Sequence, residues 1–130
     1  DRQGCFNHKK RPKIEMFADC LPGKIAFSDI DAVTEICGNL LFIEWKEHQG
    51  ICKGQEILFK QMTRLGSASV LIVEGNAELM TVESLRFVWN GKISPPEPAN
   101  LDVLRRQIIG WKDWALKNPV RLRKQELPCN

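Results

Sequence analysis

The sequence predicts a mixed-sheet α/β domain in the order helix, strand, strand, helix, strand, strand, helix. Three observations lead to this prediction. A Gly38-Asn39 pair between two apolar runs indicates a β-hairpin. The segment "KGQEILFKQMTRLG" has apolar residues at helical spacing. The segment "SASVLIVEG" is a continuous apolar run, typical of a strand buried in a parallel sheet.

The first half of the chain contains a helix and the hairpin. Residues 1–11 are predicted to be a basic arm, and a short helix is predicted over 12–20, with Pro12 in its first turn and Pro22-Gly23 after it. "KIAFSDIDAV", residues 24–33, alternates as a strand, and "LLFIEWK", residues 40–46, returns from the turn. The following helix is predicted to end at Gly66 and to bury Ile57, Leu58, Met62 and Leu65.

The second half of the chain adds two strands and a final helix. "SASVLIVEG" is followed by "SLRFVWNGK", a strand expected nearer an edge of the sheet. Residues 94–100, "SPPEPAN", are predicted to be a rigid Pro-rich linker. Residues 101–130 are predicted to hold an amphipathic helix and a basic tail. The apolar side of that helix comprises Leu101, Leu104, Ile108, Trp111 and Ala115.

Composition places the chain among cytoplasmic globular proteins. Its 130 residues suit one domain, and 43% hydrophobic with 27% charged residues is ordinary. No apolar run approaches the roughly 20 residues that a membrane span needs, and the start of the chain lacks an apolar signal core. Five scattered cysteines predict reduced thiols. Cys5, His8 and Cys20 could ligate zinc, but their spacing matches no standard site.

The net charge of +3 is unevenly distributed. Residues 1–13 carry +4 and residues 105–130 carry +5, whereas residues 14–104 carry −6. Basic ends around an acidic centre suit a protein that holds a polyanion with its ends and concentrates carboxylates elsewhere. The alternative is that the charged ends are solvated tails.

The register of the hairpin brings two carboxylates together. With Gly38-Asn39 at the centre of the turn, Asp31 faces Lys46 and Val33 faces Glu44. Asp31 and Glu44 are then diagonal neighbours, with Cβ atoms about 7 Å apart. Two carboxylates at that separation can converge on a hard cation such as Mg²⁺.

Alternation along the strands predicts which side chains share this face of the hairpin. They are Asp29, Asp31, Glu44, Lys46 and His48. The alternative is an ordinary surface face, on which an Asp31–Lys46 pair would contribute about 0.2–1 kcal/mol.

The order of these residues resembles the PD-(D/E)XK nuclease superfamily, most closely its small VRR-NUC and Holliday-junction-resolvase type members. The resemblance covers roughly residues 12–76. It rests on Asp31, the "FIEWK" strand with Glu44-x-Lys46, a helix opening with Gln55, and an apolar strand ending in Gly75. It implies a restriction-endonuclease-like mixed sheet with an αβββαβ core over residues 12–93 and an extra C-terminal helix. No Pro precedes Asp29 or Asp31; either could be the motif acid, and the hairpin register favours Asp31.

The resemblance implies metal-dependent hydrolysis of phosphodiester bonds. It makes Mg²⁺, with Mn²⁺ able to substitute, the cofactor, held by Asp31, Glu44, the backbone carbonyl of Trp45 and, as an extra acid, Glu15. It assigns Lys46 to orienting or deprotonating the attacking water and stabilising the transition state. Gln55 would hydrogen-bond that water or a phosphate. For Gln55 and Glu15, ordinary roles at a helix N-terminus are the alternatives.

The expected partner is DNA, as a duplex, a branched structure or a flap, bound through the basic ends without a base-reading module. Trp111 and Trp114 could stack on exposed bases or pack in the core. A homodimer through the C-terminal helix would permit paired cuts. Two alternatives to an endonuclease stay open. They are a non-catalytic nucleic-acid-binding or assembly subunit with the nuclease fold, and a structural interaction domain whose hairpin charges are ion pairs.

Overall fold

A computed structural model of the chain describes residues 12–47 and 50–120. Its elements are a 3₁₀ helix Ile14–Cys20, β1 Ala32–Ile36, β2 Asn39–Lys46, α1 Lys53–Thr63, β3 Ala68–Asn76, β4 Thr81–Trp89, β5 Lys92–Ile93, β6 Glu97–Pro98 and α2 Leu101–Lys117. The strands form one open mixed sheet in the order β1-β2-β3-β4-β5, and β6 also pairs with β4. The predicted α/β class and element order are confirmed, with two short strands added.

The sheet is the middle layer of three. β2 and β3 are parallel and joined through α1, while every other pairing is antiparallel. On the α1 side, Phe59 packs with Val70, Ile72 and Val88. On the other side, α2 packs against a second cluster that comprises Leu41, Leu71, Val73, Leu85, Leu104, Trp111 and Ala115. β3 is therefore covered on both faces, which explains its uninterrupted apolar sequence.

The two long helices match their predictions unequally. In α2, Leu104, Trp111 and Ala115 are buried as expected, whereas Leu101 is 41% exposed. The Asn100 side chain caps this helix, its Oδ1 accepting a hydrogen bond from Val103 N at 2.9 Å. Trp111 packs in the core rather than standing free for stacking.

The predicted buried face of α1 is wrong at two positions. Ile57 is 53% exposed and Leu65 is 78% exposed, while Phe59 and Thr63 are fully buried. The helix ends at Thr63, three residues before Gly66. Because Thr63 Oγ1 bonds back to Phe59 O at 2.9 Å, this polar side chain is satisfied inside the helix.

The first strand and its turn differ from the prediction. Residues 24–31 lie outside the sheet, and β1 covers only Ala32–Ile36. The turn is centred on Cys37 and Gly38, whose φ angles of 53° and 86° are both positive, as a tight hairpin turn requires. A Cβ on Gly38 would also collide with the backbone carbonyl of Val120. Asn39 is instead the first residue of β2.

The hairpin register is consequently shifted by two residues. Val33 pairs with Phe42 rather than with Glu44, and Ala32 pairs with Ile43. Asp31, one residue before β1, therefore lies opposite Glu44 and not opposite Lys46. A shift of two residues keeps every side chain on its predicted face, because side chains alternate with a period of two.

The expected αβββαβ core has three strands between its first two helices. In the described part of the chain, only β1 and β2 lie between the 3₁₀ helix and α1. The Pro-rich segment 94–100 packs onto the sheet, since β6 pairs with β4 and Ala99 N donates to Glu83 O at 2.9 Å. Within residues 12–47 and 50–120, no helix has both the length and the apolar character to cross a membrane.

The cysteines differ from the expectation of reduced thiols. Cys37 is disulfide-bonded, so the expectation is wrong there, whereas Cys20 and Cys52 are free. Cys5, His8 and Cys129 lie outside the described residues. The suggested zinc ligand set of Cys5, His8 and Cys20 therefore stays a prediction.

Asn39 joins the end of α2 to the hairpin. Its side chain is 1% exposed, and Nδ2 donates to Asn118 O at 2.8 Å and to Ala115 O at 3.4 Å. These carbonyls belong to the last turn of α2 and to its C-cap residue, and Ala115 O also accepts from Asn118 N at 3.3 Å. Just beyond, Val120 N donates to Cys37 O at 2.7 Å.

Replacing Asn39 with alanine should lower the free energy of unfolding by about 1–3 kcal/mol, because the carbonyls of Asn118 and Ala115 lose the side-chain amide that Asn39 donates to them. Urea unfolding of Asn39→Ala beside wild type measures this. Gln61→Ala, which truncates an exposed amide on α1, should leave the midpoint unchanged. An equal midpoint for Asn39→Ala would show that the end of α2 is held by other contacts.

Candidate active site

The candidate site lies on the α1 side of the sheet, at the carboxyl ends of β2 and β3. Glu44 and Lys46 alternate with Ile43 and Trp45, which pack on the α2 side. The first turn of α1 stands over the same end of β2. Parallel strands joined by a helix place such side chains at one edge of a sheet.

Asp31 is tied to the strand that carries Glu44. Its Oδ2 accepts a hydrogen bond from Trp45 N at 2.7 Å. Asp31 is exposed and lies at a bend just before β1, so the chain leaves the sheet at this point. The bond fixes the Asp31 carboxylate beside Glu44, which is the next residue to Trp45 on β2.

Glu44 is the buried acid of the site. It is 4% exposed, and burial, followed by the nearby negative charge of Asp31, raises its pKa from 4.5 to about 7. The positive charge of Lys46 acts in the opposite direction and only partly offsets this. The protonated form of Glu44 therefore persists to higher pH than that of a carboxyl in water.

Lys46 and Gln55 both reach the same oxygen of Glu44. Lys46 Nζ lies 3.6 Å from Oε2, and Gln55 Nε2 donates to Oε2 at 3.2 Å. Gln55 also caps α1, since its Oε1 accepts from Cys52 N at 3.4 Å. Gln55 thus has two roles: its amide oxygen caps α1, and its amide nitrogen contacts Glu44.

The structure brings together four of the predicted site residues, namely Asp31, Glu44, Lys46 and Gln55. Trp45 contributes only its backbone, because its indole packs on the α2 side. Glu15 lies on the exposed 3₁₀ helix and lines a cavity with Asp29 that is bounded by residues 12–18 and 26–29.

That cavity does not include Asp31 or Glu44 among its lining residues. Between Asp29 and Asp31, the structure therefore favours Asp31 as the acid beside Glu44. His48, expected on the same face, lies outside the described residues.

Sequence reasoning missed Glu74. It is the in-register neighbour of Lys46 across the parallel β2–β3 pair and follows Ile72 on the α1 side. Its Oε1 accepts a hydrogen bond from Ser84 Oγ at 2.5 Å. A glutamate directly after the apolar run Val70–Val73 is a signal that could have identified it, because a charge there needs a partner or a function.

The donor set suits a hard divalent cation. Within residues 12–47 and 50–120, no group of three or more His, Cys, Asp or Glu side chains could hold a metal ion. Mg²⁺ is commonly held by one or two carboxylates together with waters and substrate phosphates, and the pair Asp31 and Glu44 matches that number of carboxylates. The raised pKa of Glu44 fits this use, since a bound cation would favour its ionised form.

Comparison with known proteins gives no relative. No protein-family model matches the chain, and no curated protein or solved structure matches it significantly. The geometry around Glu44 therefore carries the functional argument.

Glu44→Gln should make the protein more stable above neutral pH. Since folding raises the pKa of Glu44, its stabilising contribution is complete below about pH 4.5 and is lost as the pH rises through about 7. Glutamine cannot ionise, so Glu44→Gln should exceed wild type by about 2–3 kcal/mol in free energy of unfolding near pH 8. The two should converge near pH 5.

Denaturant unfolding of both proteins between about pH 5 and pH 8 measures this difference. Glu78→Gln, a matched change at an exposed acid between β3 and β4, should follow wild type. If the stability of Glu44→Gln fell with rising pH as steeply as that of wild type, the ionisation of Glu44 would not be the cause of the pH dependence.

Proposed function

We propose that the chain is a divalent-metal-dependent endodeoxyribonuclease that hydrolyses phosphodiester bonds, directed by DNA structure or ends rather than by sequence. One observation carries the proposal. A buried carboxyl with a raised pKa stands among a second carboxylate, a lysine and a glutamine, on adjoining elements of a mixed sheet. Perturbed ionisable groups of this kind cluster at functional sites. The arrangement supports the restriction-endonuclease-like character that the sequence resemblance implies.

Asp31, Glu44 and the Trp45 carbonyl would hold Mg²⁺ or Mn²⁺. When bound, the cation would lower the pKa of a water and neutralise charge on the scissile phosphate. Lys46, half-buried at the end of β2, would leave its contact with Glu44 and pair with a phosphate oxygen instead. Its positive charge would then stabilise that oxygen in the transition state. Gln55 would orient the Glu44 carboxylate and could hydrogen-bond the attacking water from the first turn of α1.

The basic residues would supply sequence-independent affinity for the DNA backbone. Arg105, Arg106 and Lys112 lie on α2, across the sheet from Glu44, so they would hold a part of the DNA other than the scissile phosphate. Lys13 directly precedes the 3₁₀ helix. The other basic residues expected to contact DNA lie outside the described residues; they are Lys9, Lys10, Arg11, Arg121, Arg123 and Lys124.

A homodimer through α2 is part of the proposal, since one site cuts one strand. Ile109 is 50% exposed and Leu116 is 47% exposed, and they lie seven residues apart on one flank of the helix. Two copies meeting along this flank would bury both side chains.

A second candidate function is a non-catalytic nucleic-acid-binding or assembly subunit. The observation that favours it is the presence of only two strands before α1 in the described part of the chain. Such a subunit would keep the basic ends but would not turn over DNA.

Cleavage of labelled plasmid, flap and four-way-junction DNA tests the first proposal. We expect cleavage with Mg²⁺ or Mn²⁺, none with EDTA, and none by Glu44→Gln or Asp31→Asn, because each loses a carboxylate ligand. Calorimetric Mg²⁺ titration should show weaker binding near pH 6 than near pH 8, by up to about tenfold, as protonated Glu44 competes with the metal. Glu78→Gln is the matched control. DNA binding without cleavage of any substrate would favour the non-catalytic subunit.

Lys46→Ala should retain the fold and Mg²⁺ binding but lose cleavage by about 10²–10³-fold, because the lysine contributes charge to the transition state and little to the core. Rates with each DNA, together with circular dichroism and metal titration, separate these effects. Lys60→Ala removes a lysine that is ion-paired with Glu56 on α1 and should cut at the wild-type rate. Full activity in Lys46→Ala would remove the lysine from the mechanism.

A further inference from the structure

A cleft on the α2 side of the sheet is not used by the proposed nuclease site. It has a volume of about 360 Å³ and lies between α2 and the adjoining ends of β3 and β4. Its walls are mainly aromatic, comprising Phe87, Trp89, Trp111 and Trp114, with Ser69, Arg106 and Gln107 as polar members. Three of the four tryptophans of the chain therefore meet here.

The indoles offer ring surface to a ligand. Trp89 is 43% exposed and Trp114 is 36% exposed, and their rings meet edge to face with centroids 6.4 Å apart. The orientation of the Trp89 ring is fixed by a hydrogen bond, in which its Nε1 donates to Gly66 O at 3.2 Å. Large aromatic side chains left partly exposed around a cavity are typical of a binding site.

Gly110 lines the cleft and contributes no side chain to it. It lies inside α2, where glycine costs about 1 kcal/mol relative to alanine. A Cβ at this position would meet nothing within 4 Å, so close packing does not require glycine there. The missing side chain leaves space along the wall of the cleft.

A buried polar group without a partner in the described part of the chain lies beside this space. Ser69, on the β3 floor of the cleft, is only 2% exposed. Trp111 is 6% exposed, and its Nε1 has no hydrogen-bond partner among residues 12–47 and 50–120. A buried donor without an acceptor is costly, and a ligand with carbonyl or ring-nitrogen acceptors could satisfy it.

Arg106 gives the cleft a positive charge. Its guanidinium pairs with Asp102 at 3.3 Å, but both side chains are more than two-thirds exposed, so the pair is weak and can exchange. Residues 105–120 also hold four basic residues and one acidic residue, a net charge of +3. An anionic group next to an aromatic ring is the ligand chemistry that this combination favours.

We propose that this cleft binds one unpaired base of a single-stranded nucleic acid, with the base against Trp89 and Trp114 and an adjoining phosphate at Arg106. Aromatic side chains accept any base, because every base has a π-face. The volume of 360 Å³ is near the lower limit of ligand pockets, which suits one ring system rather than a larger ligand. The open side of a cleft lets the attached strand leave.

The cleft is separate from the carboxylate site. It lies on the opposite face of the sheet, and Ser69 is five residues from Glu74 along β3, about 17 Å. The inference therefore goes beyond the proposed nuclease activity and does not depend on it. In a nuclease, the cleft would hold a single-stranded arm away from the point of cleavage.

The test is binding of a short fluorescein-labelled oligothymidine to the full chain in EDTA, which removes metal from the other site. Anisotropy and quenching of tryptophan fluorescence report binding. Gly110→Leu should weaken it by roughly tenfold or more by filling the cleft, whereas Gly110→Ala should bind as wild type does. Trp114→Ala should weaken it similarly and keeps the test decisive if Gly110→Leu fails to fold.

Arg106→Ala and Arg64→Ala form a matched pair, because Arg64 has the same charge but is exposed at the end of α1, away from the cleft. Only Arg106→Ala should reduce the salt dependence of oligothymidine binding, by about one phosphate contact. Glu44→Gln should bind oligothymidine normally, so that failure of the nuclease proposal and failure of this one give different results.

Three results would overturn the inference. The first is wild-type affinity in folded Gly110→Leu and Trp114→Ala. The second is equal loss of duplex and single-strand binding in these variants. The third is sedimentation showing a dimer that Gly110→Leu dissociates, with no oligothymidine binding, which would make a second copy the occupant.

Discussion

The parallel pairing of β2 with β3 is the constraint on which the rest of the structure depends. It requires a crossover, and α1 provides it, so one face of the sheet is covered by a helix whose first turn stands over the end of β2. That position brings the side chain of Gln55 to Glu44. The parallel pairing itself places Glu74 beside Lys46. Because α1 covers one face of the sheet, α2 packs on the other.

Glu44 shows the cost of building a charged site on this frame. A strand position between Ile43 and Trp45, covered by α1, would ordinarily hold an apolar side chain. The protein instead buries a carboxyl beside Asp31 and offsets the penalty only partly with Lys46 and Gln55. A residue that lowers the stability of the fold without improving its packing is typical of a functional site.

The two faces of the sheet have different characters. The α1 face ends in acids and a lysine, which suit a metal ion and a phosphate. The α2 face ends in indoles and an arginine, which suit a base and its phosphate. A single strand that reached both would have to pass around the edge or end of the sheet, because β3 and its neighbours separate them. If both proposals hold, a branched or flapped nucleic acid would fit the two faces better than a straight duplex.

Sequence alone determined the order of the elements, the buried character of β3 and the shared face of Asp31, Glu44 and Lys46. These follow from local periodicity, and the shared face survives a two-residue shift of register because side chains alternate with a period of two.

The position of the hairpin turn, the start of β1, the burial of Glu44 and the aromatic cleft were decided by tertiary structure. Asn39 belongs to the strand because it binds the end of α2, 79 residues away, and no local pattern contains that contact. Glu74 meets Lys46 only through the parallel pairing of distant segments. Periodicity specifies which face a side chain occupies, whereas contacts between distant segments specify its neighbours and its burial.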